Sequence, residues 1–138
     1  MSTRKLSKAD FEALAGFRYQ LRRFLRFSEE VTRKSGITPL QYQLMLQVKG
    51  FPGREWATVA ELAERLQAKH HGVVALVSRC EAAGLVRRQA SRGDQRQVEV
   101  GLTLDGERCL ARLAQLHRDE LASVQDGFVV PGIGRGAS

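Results

Sequence analysis

The sequence predicts a mainly α-helical chain with one small β-hairpin, an α+β fold in which two long helices flank a compact middle segment. Residues 7–35 and 104–126 carry apolar side chains at alternating steps of three and four, which is typical of amphipathic helices. Residues 38–103 contain shorter helical patterns and then two runs with a period of two. A length of 138 residues allows one domain with a hydrophobic core. We therefore expect a single domain over residues 1–138, with an irregular tail rich in Gly over residues 127–138.

The first long helix is predicted to begin after Ser7, which resembles a capping box with Asp10, and to end at Gly36. Its apolar stripe is longer and broader than a small middle segment needs for its own core. The surplus apolar surface predicts packing against a partner helix. The stripe begins with Phe11, Leu14, Phe17 and Leu21. The other side carries Arg18, Arg22, Arg23 and Arg26, either a solvated basic face or a contact for a ligand or DNA.

The last long helix is predicted to begin after Thr103, and Asp105 and Glu107 in its first turn complement the positive end of the helix dipole. Its apolar stripe contains Leu110, Leu113, His117, Leu121 and Val124. Because both long helices present such stripes, we expect two copies of the chain to form a homodimer through them. Two-fold symmetry then places one middle segment on each outer flank of the dimer.

The middle segment has two marked helix starts. Thr38 precedes Pro39 and Gln41, which combines a cap, a proline at the first helical position and a capping-box partner. Thr58 and Glu61 form a second capping box, so another helix is expected to begin there.

Between these two helix starts we expect one helix and then a loop. Leu40, Leu44 and Val48 are predicted to lie on one face of the helix. Residues 51–57 are predicted to be loop. Trp56 in this loop is expected to fill space in the core beneath the hairpin rather than to serve as a ligand platform.

A tight turn at residues 67–69 is predicted to lead into a second short helix over residues 70–83, which ends at a left-handed Gly84. The packed face of this helix contains Val73, Leu76, Val77 and Cys80. Two short helices joined by a tight turn form a helix-turn-helix. The strands predicted over residues 85–91 and 97–102 form a hairpin after it, so a winged helix-turn-helix is expected.

The outer face of the helix over residues 70–83 is poor in charge, which is unusual for an exposed helix. Small residues let a helix approach the major groove of duplex DNA closely, and Val or Ala can contact a thymine methyl. Direct base contacts are expected from His70, His71, Val74, Ala75 and Arg79, and Ser78 is expected to belong to the same DNA-binding face. Phosphate contacts are expected from Lys69, Arg87, Arg88 and the helix starts at Thr38 and Thr58.

The tip of the predicted hairpin carries Arg92 and Arg96 with Asp94 between them. An arginine on a rigid ribbon, its planar head held by a carboxylate, suits the narrow and negative minor groove. Six Lys or Arg against two acidic residues give residues 69–96 a net charge of +4, out of +7 for the chain. This concentration of charge indicates a polyanionic partner.

Several motifs resemble the MarR (multiple antibiotic resistance regulator) family of bacterial transcription factors. The most specific motif is Asp94-x-Arg96-x-x-x-Val100-x-Leu102-Thr103-x-x-Gly106. Two further motifs that resemble the family are Leu62-Ala63 with Leu66, and Glu81-Ala82-Ala83-Gly84-Leu85-Val86. The resemblance implies a winged-helix dimer on a pseudopalindromic operator, usually a repressor and often released by a small anionic or phenolic ligand or by cysteine oxidation. It also implies that Arg96 enters the minor groove and that Asp94 orients it.

The chain departs from the family pattern in two places. Where many relatives have Ser or Thr opening the recognition helix and an Arg in its reading face, this chain has His70-His71-Gly72 and Ala75, so base preference does not transfer. Relatives usually add a sixth helix that reinforces the dimer, and the residues from Gly127 onward predict that it is missing or shortened here.

A site for a small aromatic effector is expected, if present, where the long helices meet the middle segment. Phe17, Phe24, Phe51 and Trp56 are the candidates to line it, although core packing explains each ring equally well. Cys80 and Cys109 are expected to be reduced packing residues rather than redox sensors. The three histidines lack metal-ligand spacing, and no cofactor is expected.

Other classes of protein fit the sequence less well. No nucleophile with its base, paired-carboxylate site or phosphate-binding glycine loop indicates an enzyme. The polar N-terminus and the lack of an apolar run near roughly 18 residues predict a cytoplasmic protein with no membrane contact. The alternative function is a winged helix used as a protein-protein or RNA-binding module without operator specificity. A basic hairpin tip together with small groove-facing residues favours duplex DNA.

Overall fold

A computed structural model of the chain describes residues 5–91, 93 and 97–132. Its elements are α1 (Lys8–Lys34), α2 (Pro39–Lys49), β1 (Trp56–Thr58), α3 (Val59–Leu66), α4 (His70–Ala82), β2 (Val86–Ala90), β3 (Val98–Leu102), α5 (Leu104–Val124) and a 3-10 turn (Gln125–Gly127). Long helices flank a helix-turn-helix and its hairpin, so the predicted fold class is confirmed. Within the described ranges, no helix is long and apolar enough to cross a membrane.

The predicted helix starts are confirmed by complete capping boxes at Ser7, Thr38 and Thr58. In each box the cap hydroxyl accepts from the amide three residues later, and the side chain of that later residue accepts from the cap amide. Thr103 caps α5 by accepting a 3.0 Å hydrogen bond from the Gly106 amide. Because these bonds span only three residues, the local sequence determines where the helices begin.

The hairpin belongs to a three-stranded antiparallel sheet with the order β1-β3-β2. Strand β1 occupies the end of the segment predicted as loop, so that prediction is wrong there. Trp56 pairs with Gly101, and Thr58 pairs with Glu99. Strand β1 forms for a tertiary reason, because the free edge of β3 needs backbone partners. The side chain of Ala57, between Trp56 and Thr58, is fully buried.

The core lies between α2, α3, α4, the sheet and the first half of α5. Its fully buried side chains include Leu44, Met45, Val48, Leu62, Val73, Val77, Cys80, Val100 and Leu113. They do not include Leu40, which was predicted on the same face as Leu44 and Val48, or Trp56, which was predicted to fill the core. Leu40 is 49% exposed because it lies in the first turn of α2, at the edge of the core. Trp56 is only half-buried because it starts the edge strand β1.

Both cysteines are buried thiols without a disulfide partner. Burial raises the pKa of Cys80 to about 11, from an ordinary value of 9.0. A neutral thiol is a poor nucleophile, so Cys80 acts as a small packing residue of α4.

His117 joins three helices inside the chain. Its Nδ1 lies 2.7 Å from the Leu113 carbonyl oxygen and its Nε2 lies 2.9 Å from Ser28 Oγ on α1. Its ring stacks on Tyr42 of α2 with the ring centroids 4.3 Å apart. Leu110, Leu113 and His117 are at most 5% exposed within one chain. Their predicted place in the dimer seam is therefore wrong, because α1 and α2 already cover this side of α5.

The Leu102-Thr103-x-x-Gly106 motif joins the end of α4 to the start of α5. Thr103 Oγ1 donates a 2.6 Å hydrogen bond to the Gly84 carbonyl, and the Thr103 amide donates to the Leu85 carbonyl at 3.0 Å. Gly84 has a φ of +77°, as predicted for the left-handed residue after the helix. A Cβ added at Gly106 would lie 2.0 Å from the Leu85 carbonyl oxygen. Only glycine lets α5 begin this close to the backbone of residue 85.

The residues after the 3-10 turn run along α1. Residues 128–132 form no helix. Phe128 meets Phe17 edge-on, with the ring centroids 5.6 Å apart. Val129 and Pro131 line a small cleft of about 230 Å³ beside α1. The rest of the predicted irregular tail, residues 133–138, lies outside the described residues.

Candidate nucleic-acid interface

Helix α4 has one buried and one exposed face, divided as the sequence predicts. Val73, Leu76, Val77 and Cys80 are at most 4% exposed. The exposed side carries His70, His71, Val74, Ala75, Ser78 and Arg79. Because the opposite side is anchored in the core, these side chains are presented from a rigid support.

The turn between α3 and α4 leaves the N-terminus of α4 open. Gln67 ends α3 in the left-handed region with a φ of +50°, and the Ala68 amide donates to the Ala63 carbonyl at 2.9 Å. Lys69 is the N-cap of α4 and makes no side-chain capping bond. The first amides of α4 therefore lie at the positive end of its dipole beside the exposed Lys69, a combination that favours an anion such as a phosphate.

Arg88 of β2 points at α4 rather than into solvent. Its Nη1 donates to Glu81 Oε1 at 3.2 Å, and its Nη2 donates to the Val74 carbonyl at 3.1 Å and to Ser78 Oγ at 2.7 Å. The guanidinium lies beside α4 because β2 runs along that helix, and Glu81 pairs with it. The phosphate contact predicted for Arg88 stays a prediction. The neighbouring Arg87 is exposed, as a phosphate contact requires.

A cleft of about 410 Å³ lies between α4 and the sheet. It is lined by Thr58, Val59, Ala60, His70, Val74, Ser78, Arg88, Gln97 and Val98. The start of α3, the exposed face of α4 and the base of the hairpin therefore share one concave surface. Thr38 lies apart from it, at the start of α2, where its hydroxyl caps that helix.

The base of the hairpin is paired up to the residues that flank its tip. The Ser91 amide donates to the Gln97 carbonyl at 3.1 Å. The predicted minor-groove residues Arg92, Asp94 and Arg96 lie outside the described residues. Their roles stay predictions.

A cluster around Arg54, in the loop before β1, was not found from the sequence. The Arg54 guanidinium carbon lies 4.2 Å from the Phe51 ring centroid and 3.9 Å from that of Trp56, and the guanidinium pairs with Glu61. Burial alone would raise the pKa of Glu61, but hydrogen bonds from Thr58 and Arg54 hold it below its ordinary value. The sequence feature that indicates this cluster is an arginine between two aromatic residues in a short loop. The cluster fixes this loop against the first turn of α3.

The four rings predicted to line an effector pocket fall into two groups. Phe17 and Phe24 lie on α1 and contact the tail and α5. Phe51 and Trp56 flank the Arg54 guanidinium near the start of α3. None of the ring contacts among the described residues links one group to the other, so the structure gives no support for a single pocket built from all four rings.

An open cleft of about 880 Å³ lies instead on the basic side of α1. Its lining includes Arg22, Arg23, Arg26 and Arg33 together with Tyr19, Leu25, Ile37, Thr38 and Pro39. Glu29 and Glu30 also line it, and Glu30 pairs with Arg26 at 3.5 Å. The basic face predicted on α1 is therefore concave and partly apolar.

Apolar surface remains uncovered on the first half of α1 and the last turns of α5. Phe11 is 55% exposed, Leu14 is 47% exposed and Leu121 is 42% exposed. Phe17, Leu21 and Val124 are half-buried. This outer part of the predicted dimerisation stripe is available for contact with a second chain.

Known proteins match both the sequence and the fold. A MarR family model matches residues 35–97, from the residue after α1 to the residue before β3. A protein of Thauera aromatica, named "Putative transcriptional regulatory protein for hcr operon", is 29% identical over 98 residues, 71% of this chain and 57% of that protein. The HTH-type transcriptional repressor MdtR of Bacillus subtilis (strain 168) is 30% identical over 78 residues, 56% of this chain and 48% of that protein. The chain thus spans about half the length of these curated relatives.

Among solved structures, Sco3205 has a similar fold. It is a MarR family transcriptional regulator from Streptomyces coelicolor, solved in complex with DNA. The TM-score is 0.74 at 22% identity, and the match covers 94% of this chain and 81% of that chain. At this identity the likeness shows a shared fold. The family model, the two relatives and the winged-helix architecture together show that the chain is similar to MarR family transcriptional regulators.

Proposed function

We propose that this protein is a sequence-specific double-stranded DNA-binding transcriptional regulator. The exposed face of α4 carries the proposal, since it is rigidly anchored, nearly uncharged and flanked by Lys69, Arg79 and Arg87. Such a face suits the major groove, where small side chains approach base edges and basic flanks contact phosphates. Sco3205, which shares the fold, was solved in complex with DNA.

The regulator is proposed to act as a homodimer. The exposed Phe11, Leu14 and Leu121 offer apolar surface to the same surface of a second copy. In a two-fold dimer the two α4 helices read half-sites roughly 34 to 36 Å apart, so the operator is an inverted repeat. At each hairpin tip Arg96 is assigned to the neighbouring minor groove and Asp94 to orienting it, as the family resemblance implies. Arg92 is assigned to the same groove because it shares the basic tip.

Repression and release by an effector belong to the same proposal. MdtR, one of the matched relatives, is named a transcriptional repressor. A small anionic or phenolic ligand, the class of effector that the family resemblance implies, finds arginine donors beside apolar side chains in the cleft on α1. A regulator of this kind works where the chromosome lies, which in a bacterium is the cytoplasm.

Selection of bound sequences from random duplex DNA, with the full chain at fixed salt, tests this function. We expect an inverted repeat with half-site centres about 10 base pairs apart. Enrichment of no sequence, or equal binding to RNA, contradicts the proposal and favours the interaction-module alternative.

Salt dependence of binding is a second test of the same interface. If the dimer neutralises about eight phosphates, the logarithm of the binding constant falls with the logarithm of salt concentration at a slope near −7. A flat dependence contradicts a basic DNA-binding face.

A further inference from the structure

Arg88 holds the hairpin against α4 through residues of the exposed face itself. Val74 and Ser78 lie one turn apart on α4, and Arg88 Nη2 donates to the carbonyl of the first and the hydroxyl of the second. Glu81, almost one turn further, accepts from Arg88 Nη1 and from the Arg88 backbone amide, each at 3.2 Å. A single residue of β2 therefore contacts three residues along α4.

These contacts require the shape of a guanidinium. Its planar head presents several N–H donors in fixed directions, whereas a lysine ammonium is a flexible point charge. The side chains of Arg88 and Glu81 are 30% and 41% exposed, and their charges are paired with each other. The Arg88 charge is thus directed at α4.

We propose that Arg88 is a positioning residue that fixes the angle between α4 and the hairpin, and thereby sets sequence discrimination in DNA binding. This inference rests on the proposed function. A winged helix-turn-helix places its helix in one groove and its hairpin in the next, so both contacts form together only when the angle between them matches the DNA. Interfaces of this kind depend on side chains held within about 0.5 Å of their productive positions.

Binding of a phosphate by Arg88, released from Glu81, is the opposing account, and it makes opposite predictions. A lysine can bind a phosphate as a point charge, so a phosphate contact tolerates Arg88→Lys. Removing one phosphate contact per protomer lowers the magnitude of the salt slope by about 2 per dimer. A positioning role does not tolerate lysine and leaves the salt slope unchanged.

The experiment measures binding of wild type, Arg88→Lys and Arg88→Met to the selected operator and to its single-base variants across a salt series. We expect both variants to lose about tenfold in discrimination between operator and variants, with the wild-type salt slope retained. The inference is overturned if Arg88→Lys discriminates between the operator and its variants as well as wild type does. A reduced salt slope in Arg88→Met overturns it as well. Arg87→Met is the matched control, expected to lower the slope and to retain discrimination.

Glu81→Ala is an independent variant, since it keeps the Arg88 charge and removes its carboxylate partner. We expect the same loss of discrimination as in Arg88→Lys. Higher affinity with a steeper salt slope overturns the inference, because it shows that a released Arg88 binds phosphate. Circular dichroism verifies folding, and Glu81→Ala decides the question if the Arg88 variants unfold. Failure of the wild-type protein to select any sequence contradicts the proposed function itself and is distinct from every variant effect.

Discussion

Gly106 shows how a single residue controls whether two helices can meet. It lies in the first turn of α5, against the carbonyl of Leu85, which follows the end of α4. Thr103 reinforces the junction by bonding to the Gly84 carbonyl and by capping α5. The glycine of this motif is required by close backbone approach, a physical reason that the sequence pattern alone does not contain.

Gly106→Ala is expected to lower the free energy of unfolding by at least about 2 kcal/mol, because the new methyl overlaps a backbone carbonyl that cannot move alone. Urea denaturation measures the change. Gly72→Ala is the matched control, since nothing lies within 4 Å of a Cβ there, and it is expected to stabilise α4 by up to about 1 kcal/mol. Equal stabilities for the two variants would show that α5 begins elsewhere.

At the scale of elements, the loop before β1 and the start of α3 form one unit. Arg54 lies between Phe51 and Trp56 and pairs with Glu61, the residue that completes the capping box of Thr58. A loop stabilised in this way holds the edge strand and the first helix of the helix-turn-helix together. Helix α4 depends on this support because α3 packs on α4.

Arg54→Ala is expected to cost about 1 to 2 kcal/mol of stability, from the lost ring contacts and the charged hydrogen bond. Thermal denaturation measures this loss of stability. The control is Arg112→Ala, which removes an exposed arginine of α5. A cost no larger than that of Arg112→Ala contradicts the structural role.

The same variant changes the dependence of stability on pH. The pKa of Glu61 is lowered in the folded chain, so its contribution is present above the ordinary value of 4.5 and is lost as pH falls through the folded pKa. Arg54→Ala removes one of the groups that lower this pKa. The difference in unfolding free energy between wild type and variant is therefore expected to be larger at pH 7 than at pH 3.

At the scale of the whole molecule, α1 and α5 bury one part of their apolar surface inside the chain and leave another part exposed. Leu110, Leu113 and His117 brace α5 against α1 and α2 inside one chain. Phe11, Leu14 and Leu121 remain exposed on the same pair of long helices. Assembly is expected to depend on this exposed part alone.

Leu14→Glu is expected to convert the proposed homodimer to a monomer, because it places a charge in apolar surface that dimerisation would bury. Sedimentation velocity measures the mass, and affinity for the selected operator is expected to fall in parallel. Leu104→Glu is the control, a more exposed leucine at 64% in the first turn of α5. A wild-type monomer, or a Leu14→Glu dimer as stable as wild type, contradicts this arrangement.

The sequence by itself determined the features that depend on near neighbours. Capping boxes at Ser7, Thr38 and Thr58 join residues three apart, and the left-handed Gly84 follows directly from the end of α4. The two faces of α4 follow from helical periodicity. The period of two over β3 likewise predicted the hairpin.

Only the tertiary structure decided the features that depend on distant segments. Strand β1 exists because β3, more than forty residues away, offers it an edge. His117 is internal because Ser28, 89 residues earlier, lies within hydrogen-bond distance. Arg88 contacts α4 because β2 folds back beside that helix. Periodicity in the sequence shows whether a side chain lies on the apolar or the polar face of its element. Whether that side chain then packs in the core, contacts a partner or forms an ion pair depends on where the other elements lie.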